Sequence, residues 1–141
     1  MFAKAAVIAL GLTLATTAGA QAATLRFAAA LSGAQEVPAN TETGKGEVSA
    51  TLDTTTKVFT YTATYSGLTG PGGAAHFHGP AAPGANAPPV VMVATPASPI
   101  MGTATLTDAQ IADLTAGKWY FNVHTAAHGG GEIRGQLKPA A

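Results

Sequence analysis

Two short segments contain all four histidines of this 141-residue chain. His76 and His78 lie one residue apart in the stretch AAHFH, and His124 and His128 lie in NVHTAAHGG near the C-terminus. Imidazoles that share one face of a strand can bind one metal ion, and both copper and zinc accept such ligands. We predict a metal site on His76, His78 and His124, with His128 as a movable fourth ligand. Copper is the first choice of metal and zinc the second.

Strand alternation predicts that these histidines converge. In AAHFH, His76 and His78 share one face of a strand, and Phe77 lies on the opposite face. In KWYFNVH, His124 and Asn122 share the polar face. If the apolar faces of both strands point into one core, the three imidazoles gather on one polar surface. Asn122 is then placed to orient one of them through a hydrogen bond.

The stretch GEIRGQL adds two charged residues to the same surface. The short loop TAAHGGG before it predicts an antiparallel hairpin, and this pairing puts Glu132 and Arg134 beside His124. Glu132 is a second candidate to orient a liganding imidazole. Arg134 has two interpretations: it steers an anion towards the site, or it pairs with Glu132, Glu36 or a loop carbonyl and fixes the hairpin. We favour the structural interpretation.

The rest of the chain reads as short strands separated by turn residues, a pattern typical of an antiparallel β-sandwich or barrel. One short helix is predicted over residues 108–116, where Thr107 and Gln110 can form a capping box. The Pro-rich segment over residues 79–89 is predicted to be a long loop. The predicted strands outside the histidine segments are TLRFAAAL, GEVSATLD, KVFTYTATYSG, PPVVMVA and GTATLT.

The N-terminus has the pattern of a secretory signal peptide. Lys4 is followed by a mostly apolar run over residues 5–15 and by the small-residue ending AQA. The apolar run is too short to span a bilayer. We expect residues 1–22 to be removed, and residues 23–141 to form one exported domain of about 119 residues. This domain is predicted to be periplasmic or secreted, without a membrane anchor.

Composition excludes several classes of function. Seven Lys and Arg residues balance seven Asp and Glu residues, and no basic stripe exists, so no nucleic-acid partner is expected. The chain has no cysteine, which excludes disulfides and thiolate chemistry. Met92 and Met101 could supply sulfur to cuprous copper, but both lie in apolar stretches and are interpreted as core residues. No catalytic serine elbow or phosphate-binding glycine loop is found.

Five blocks of the sequence together resemble the CHRD domain, a family named from repeats in chordin. The resemblance extends over residues 24–137, with the blocks in order, and it implies an antiparallel Greek-key or immunoglobulin-like β-sandwich. By matching motif it carries over the three clustered histidines, Glu132 and Arg134. His128 departs from the family pattern, which often has NP at this point. The blocks are LSGAQEVPAN, YSGLTG, AAHFHGPAAPGANAPPVV, LTDAQIADLTAGKWYFNVHT and GGEIRGQL.

A smaller set of residues resembles the copper site of copper-zinc superoxide dismutase. That family combines a Greek-key β-scaffold, an H-x-H copper pair, a later strand histidine and a nearby arginine, and the likeness suggests copper. We therefore expect an exported protein that binds a transition metal. The alternatives are a metal-independent module that docks a periplasmic or extracellular protein or a polymer, and, ranked last, a small copper redox enzyme.

Overall fold

The computed structural model of the protein describes residues 21–141 together with residues 14, 15 and 19. Most of the predicted leader, residues 1–22, lies outside the described residues, so its removal stays a prediction. Within the part that is described, no helix is long and apolar enough to cross a membrane.

Antiparallel strands are the main regular structure of the described residues, which contain one short α-helix, so the predicted all-β class is confirmed. The helix α1 (Asp108–Thr115) starts at the predicted capping box. The Gln110 amide nitrogen donates to the Thr107 hydroxyl, and the Thr107 amide donates to the Gln110 side chain. The strands are β1 (Thr24–Ser32), β2 (Lys45–Asp53), β3 (Val58–Ser66), β4 (Ala74–His78), β5 (Pro89–Met92), β6 (Ile100–Thr105), β7 (Tyr120–His124), β8 (Ile133–Gln136) and β9 (Lys138–Pro139).

These strands form one sheet in the order β5-β4-β7-β8-β1-β2-β3-β6, and β9 also pairs with β1. We call β5, β4, β7 and β8 the histidine half-sheet, and β1, β2, β3 and β6 the threonine half-sheet. The two halves meet where β8 pairs with β1 at Ser32 and Arg134, and β9, which follows β8, adds two further residue pairs to β1. They face each other across the core, where the Phe59 and Phe77 rings are 5.1 Å apart between centroids.

Alternate residues of each strand enter the core between the half-sheets, as the two-residue period predicts. Aromatic side chains make the centre of this core: Phe77 contacts Tyr61 and Phe121, and Trp119 contacts Phe59. The core therefore gives a rigid floor beneath the outer faces of both half-sheets. Its buried strand residues include Phe27, Leu31, Val48, Leu52, Phe59, Tyr61, Phe77, Ile100, Phe121, Val123 and Ile133.

The two outer faces differ in what covers them. Thr60, Thr62 and Thr64 of β3 stand exposed on the threonine half-sheet. The outer face of the histidine half-sheet lies under residues 79–88, which contain no helix or strand, as predicted for this segment. We call this segment the covering loop.

Met92 and Met101 correct one expectation, because they are not core residues. Met92 is 66% exposed and Met101 is 75% exposed. They lie on β5 and β6, the two strands at the ends of the sheet, and their side chains point outwards. A continuous apolar run such as PVVM does not reveal which of its residues face outwards, so the sequence alone misplaced them.

Candidate metal centre

Pairing between β4 and β7 brings three histidines together. His76 pairs with Asn122, and Ala74 pairs with His124, so His124 is the diagonal neighbour of His76 on the outer face. His78 lies two residues further along β4 on the same face. The imidazoles of His76, His78 and His124 each offer one nitrogen, and these nitrogens all lie within 4.8 Å of one another. The three imidazoles thus converge on one face, as strand alternation predicts.

The closest contact in this cluster joins His76 and His124. The Nδ1 atom of His76 lies 3.1 Å from Nε2 of His124, and the two ring centroids are 4.9 Å apart. The His78 ring lies 5.5 Å from that of His76 and 6.2 Å from that of His124. One ring nitrogen donates and the other accepts in the 3.1 Å contact, so a metal ion bound there would replace this hydrogen bond.

Backbone carbonyls orient two of the three rings. Nδ1 of His78 donates to the Ala87 carbonyl oxygen at 2.8 Å, and Nδ1 of His124 donates to the Gly129 carbonyl oxygen at 3.0 Å. A carbonyl oxygen only accepts, so the Nδ1 atoms carry the protons and, in the neutral rings, Nε2 carries the lone pair. Metal-binding histidines use this same arrangement, in which the second ring nitrogen is held by a carbonyl.

Asn122 touches the lone-pair nitrogen of His78. Its side-chain oxygen lies 2.9 Å from His78 Nε2, and its amide nitrogen lies 3.4 Å from the Gly130 carbonyl oxygen. The amide can present either its oxygen to a protonated imidazole or its NH2 group to a neutral one. Asn122 therefore holds the His78 ring in place, and it must yield this contact when Nε2 binds a metal.

The environment favours the neutral form of two of the imidazoles. Burial lowers the pKa of His76 below its usual value, and the neighbouring His124 and His78 lower it further. Burial also lowers the pKa of His78, although its hydrogen bonds to Ala87 and Asn122 oppose the shift. Only the neutral form of imidazole binds metal, so both shifts favour metal over protons.

The covering loop is attached through Tyr120 and Arg134. The Tyr120 ring stacks on His78 with 4.6 Å between centroids and 4° between planes. The Arg134 guanidinium carbon lies 3.4 Å from the centre of the Tyr120 ring. Arg134 also donates to the Ala85 carbonyl oxygen and to the Asn86 side-chain oxygen, at 2.5 and 2.9 Å. This buried arginine, 2% exposed, holds the loop that in turn holds His78.

Glu132 lies in a different network from the histidines. Its carboxylate accepts hydrogen bonds from the Thr125 hydroxyl at 2.9 Å and from the Thr69 amide at 3.0 Å, and the Thr69 hydroxyl also donates to it. Burial alone would raise the pKa of Glu132, but the Thr69 and Thr125 hydrogen bonds outweigh burial and lower it. Glu132 thus connects the segment before β4 to the end of β7, and no hydrogen bond links it to an imidazole.

His128 lies outside the cluster. Its Nε2 atom is 3.1 Å from a carboxylate oxygen of Glu42, on the loop before β2. The three-histidine group does not include it. Its role as a movable fourth ligand remains a prediction.

Glu36 is a polar residue whose burial was not predicted from the sequence. It is 5% exposed, and its Oε1 atom has no hydrogen-bond partner among the described residues. Burial raises its pKa from 4.5 to about 7, against opposing effects from Arg134 and from the Asn122 amide. Gly131, with φ of 124°, makes room here, because a Cβ atom at that position would collide with the Glu36 carboxylate and the Asn122 amide. The only sequence signal was the run of three glycines before Glu132.

Comparison with known proteins gives one match. The sequence profile of the CHRD domain matches residues 27–137, a range that includes the three clustered histidines, Asn122 and Arg134. No curated protein and no solved structure matches the chain.

Proposed function

We propose that this chain, which belongs to the CHRD-domain family, is an exported protein that binds a transition metal, copper before zinc, on His76, His78 and His124. The observation that carries the proposal is the approach of three ring nitrogens to within 4.8 Å of one another. The leader pattern of residues 1–22 supports export.

The spacing of the nitrogens supports binding of a single ion. Copper and zinc bind imidazole nitrogen at about 2.0–2.1 Å, so two nitrogens 3.1 Å apart meet at the metal with an angle of about 100°. An ion can bridge nitrogens no more than about 4.2 Å apart, so His78 needs a ring movement of about 1 Å or less to complete the set. Such a movement gives up the contact between His78 Nε2 and Asn122.

The hydrogen bonds around the cluster support the same proposal. The Ala87 and Gly129 carbonyls fix the tautomers of His78 and His124, and both leave Nε2 as the coordinating atom. Three imidazoles occupy one side of an ion and leave a further position for another ligand. The donor set suits copper and zinc alike, and the order of preference follows the general affinity series of divalent metals.

The test is a calorimetric titration of the purified protein with Cu(II) and with Zn(II) at neutral pH. We expect one ion to bind per chain, and the double variant His78→Ala/His124→Ala to lose at least about 100-fold in affinity. His128→Ala is the comparison variant, because His128 lies outside the cluster, and a much smaller loss than in the double variant would assign the binding to the three clustered histidines. Metal affinity that is unchanged in the double variant would contradict the proposal.

Anion steering, which the copper redox enzyme requires, has no support in the position of Arg134. The guanidinium is buried between Tyr120 and the covering loop, and its hydrogen bonds are made to the loop. It therefore acts on the site by positioning the loop and offers little charge to solvent.

A further inference from the structure

We propose that Met92 supplies the fourth ligand of the histidine cluster, through its thioether sulfur, and that the completed site selects cuprous copper. This inference rests on the function proposed above, because it presupposes that the three histidines bind a metal. It adds a residue and a preferred oxidation state that the three histidines alone do not define.

Strand register places Met92 beside the cluster. On the edge of the histidine half-sheet, Met92 of β5 pairs directly with His76 of β4. Directly opposed residues of an antiparallel pair point to the same face, with Cβ atoms about 4.5–5.5 Å apart. The preceding pair, Phe77 with Val91, is buried on the core face, so His76 and Met92 both project outwards.

The exposure of Met92 has no explanation in packing. It is 66% exposed on an edge strand, where a large apolar side chain contributes little to the core. Its sulfur lies two bonds beyond Cβ on a chain with three rotatable torsions, so it can reach towards a neighbour on the same face. Met92 thus places a flexible sulfur donor on the edge strand, next to His76.

Met92 flanks the cluster on the side of β4 that faces away from β7. The order β5-β4-β7-β8 puts Tyr120 and Arg134 on the β7 and β8 side, under the covering loop. On the other side of β4 lies β5, the last strand of the sheet. A fourth ligand would therefore approach from the β5 edge.

The donor chemistry points to copper in its reduced state. Thioether sulfur is a soft ligand that favours Cu(I), whereas zinc takes its sulfur from thiolates, and this chain has no cysteine. The carboxylate of Glu132 is not part of the cluster and is engaged by Thr69 and Thr125. The donor set of three nitrogens and one thioether sulfur thus separates Cu(I) from Zn(II).

The experiment compares Met92→Leu with Met101→Leu. Leucine keeps the volume and apolar character of methionine and removes only the sulfur, so both variants should fold. Met101 is the matched control, because it is 75% exposed on an edge strand of the other half-sheet. Cu(I) affinity is measured without oxygen by competition with a chromophoric Cu(I) chelator, and Zn(II) affinity is measured in parallel.

We expect Met92→Leu to weaken Cu(I) binding by about tenfold or more and to leave Zn(II) binding within about threefold of the parent value. Met101→Leu should change neither. The X-ray absorption spectrum of the copper-loaded parent should show a sulfur scatterer that is missing in Met92→Leu. Equal Cu(I) affinities and no sulfur scatterer, with zinc still bound by the histidines, would overturn the role of Met92 and leave the proposed function intact. A parent protein that binds neither metal would overturn both.

Discussion

The outer faces of the two half-sheets are built from similar strands, but their polar side chains have different environments: solvent on one face, and buried hydrogen-bond partners on the other. On the threonine half-sheet, Thr60, Thr62 and Thr64 face solvent, and their hydroxyls need no protein partner. On the histidine half-sheet, Asn122 and Arg134 are buried and hydrogen-bonded to neighbouring loops. Burying a polar group without a partner costs about 1–3 kcal/mol, so such a face is stable only when nearly every group is satisfied.

We therefore expect the outer face of the threonine half-sheet to tolerate substitutions of polar residues, and the outer face of the histidine half-sheet to be destabilised by them. A solvated threonine can rotate freely, whereas His78 is held by Ala87, Asn122 and the Tyr120 ring. These contacts therefore restrict the orientation of the His78 ring, whereas solvent leaves the threonine side chains unrestricted. Matched substitutions on the two half-sheets should make the contrast measurable.

The largest difference is expected for the two arginines that lie on the outer faces. Arg134→Ala removes a buried cation that binds the covering loop and lies near the buried Glu36, so we expect the free energy of unfolding to fall by about 3–5 kcal/mol. Arg26→Ala removes an exposed cation from the threonine half-sheet and should change it by no more than about 0.5 kcal/mol. Urea unfolding measures both values. Similar losses in the two variants would mean that the faces do not differ in this way.

The next effect is a gain in stability at alkaline pH from Glu36→Gln. The pKa of Glu36 is about 7 in the folded protein and about 4.5 when unfolded, so the folded protein keeps a proton over this interval that the unfolded chain releases. Stability from this group is therefore lost as pH rises from 4.5 to 7. We expect the substitution to stabilise the protein by up to about 3 kcal/mol at pH 8 and by little at about pH 5.

Urea unfolding of parent and Glu36→Gln at the two pH values tests this expectation. Glu47→Gln is the control, because Glu47 is exposed on β2 of the threonine half-sheet. It should show no difference between the two pH values. A Glu36→Gln variant whose gain is the same at both would exclude a raised pKa as the cause.

The smallest pair of effects compares two threonines. Thr125→Val removes a buried hydroxyl that donates to the Glu132 carboxylate, and we expect a loss of about 1.5–3 kcal/mol. Thr62→Val removes an exposed hydroxyl on β3 and should change stability by at most about 0.5 kcal/mol. Thermal unfolding of both variants gives the comparison. A larger loss for Thr62→Val would reverse the assignment of the two faces.

Much of this arrangement follows from the period of the strands. Alternation predicts that His76 and His78 share a face, that Phe77 enters the core, and that His124 joins them from the neighbouring strand. The structure agrees because no bulge interrupts the pairing of β4 with β7. The capping box of α1 is similarly local, since Thr107 and Gln110 are three residues apart.

The features that could not be predicted from the sequence depend on contacts between distant segments. The covering loop has no periodic pattern, so the positions of Ala85 and Ala87 over Arg134 and His78 could not be read from it. Glu36 is buried because a glycine nearly 100 residues away leaves space for its carboxylate. Met92 faces outwards because it pairs with His76 on the outer face, and a short apolar run encodes neither this register nor the place of β5 at the end of the sheet.

The pairing of Ser32 with Arg134, where β8 meets β1, has a consequence for how this protein can vary. Arg134 contributes its backbone to that junction through Ser32, while its side chain anchors the loop over the cluster. One position thus serves both the continuity of the scaffold and the orientation of a ligand. A redesign for another metal has more freedom at the β5 edge, where a side chain can be exchanged without disturbing the junction.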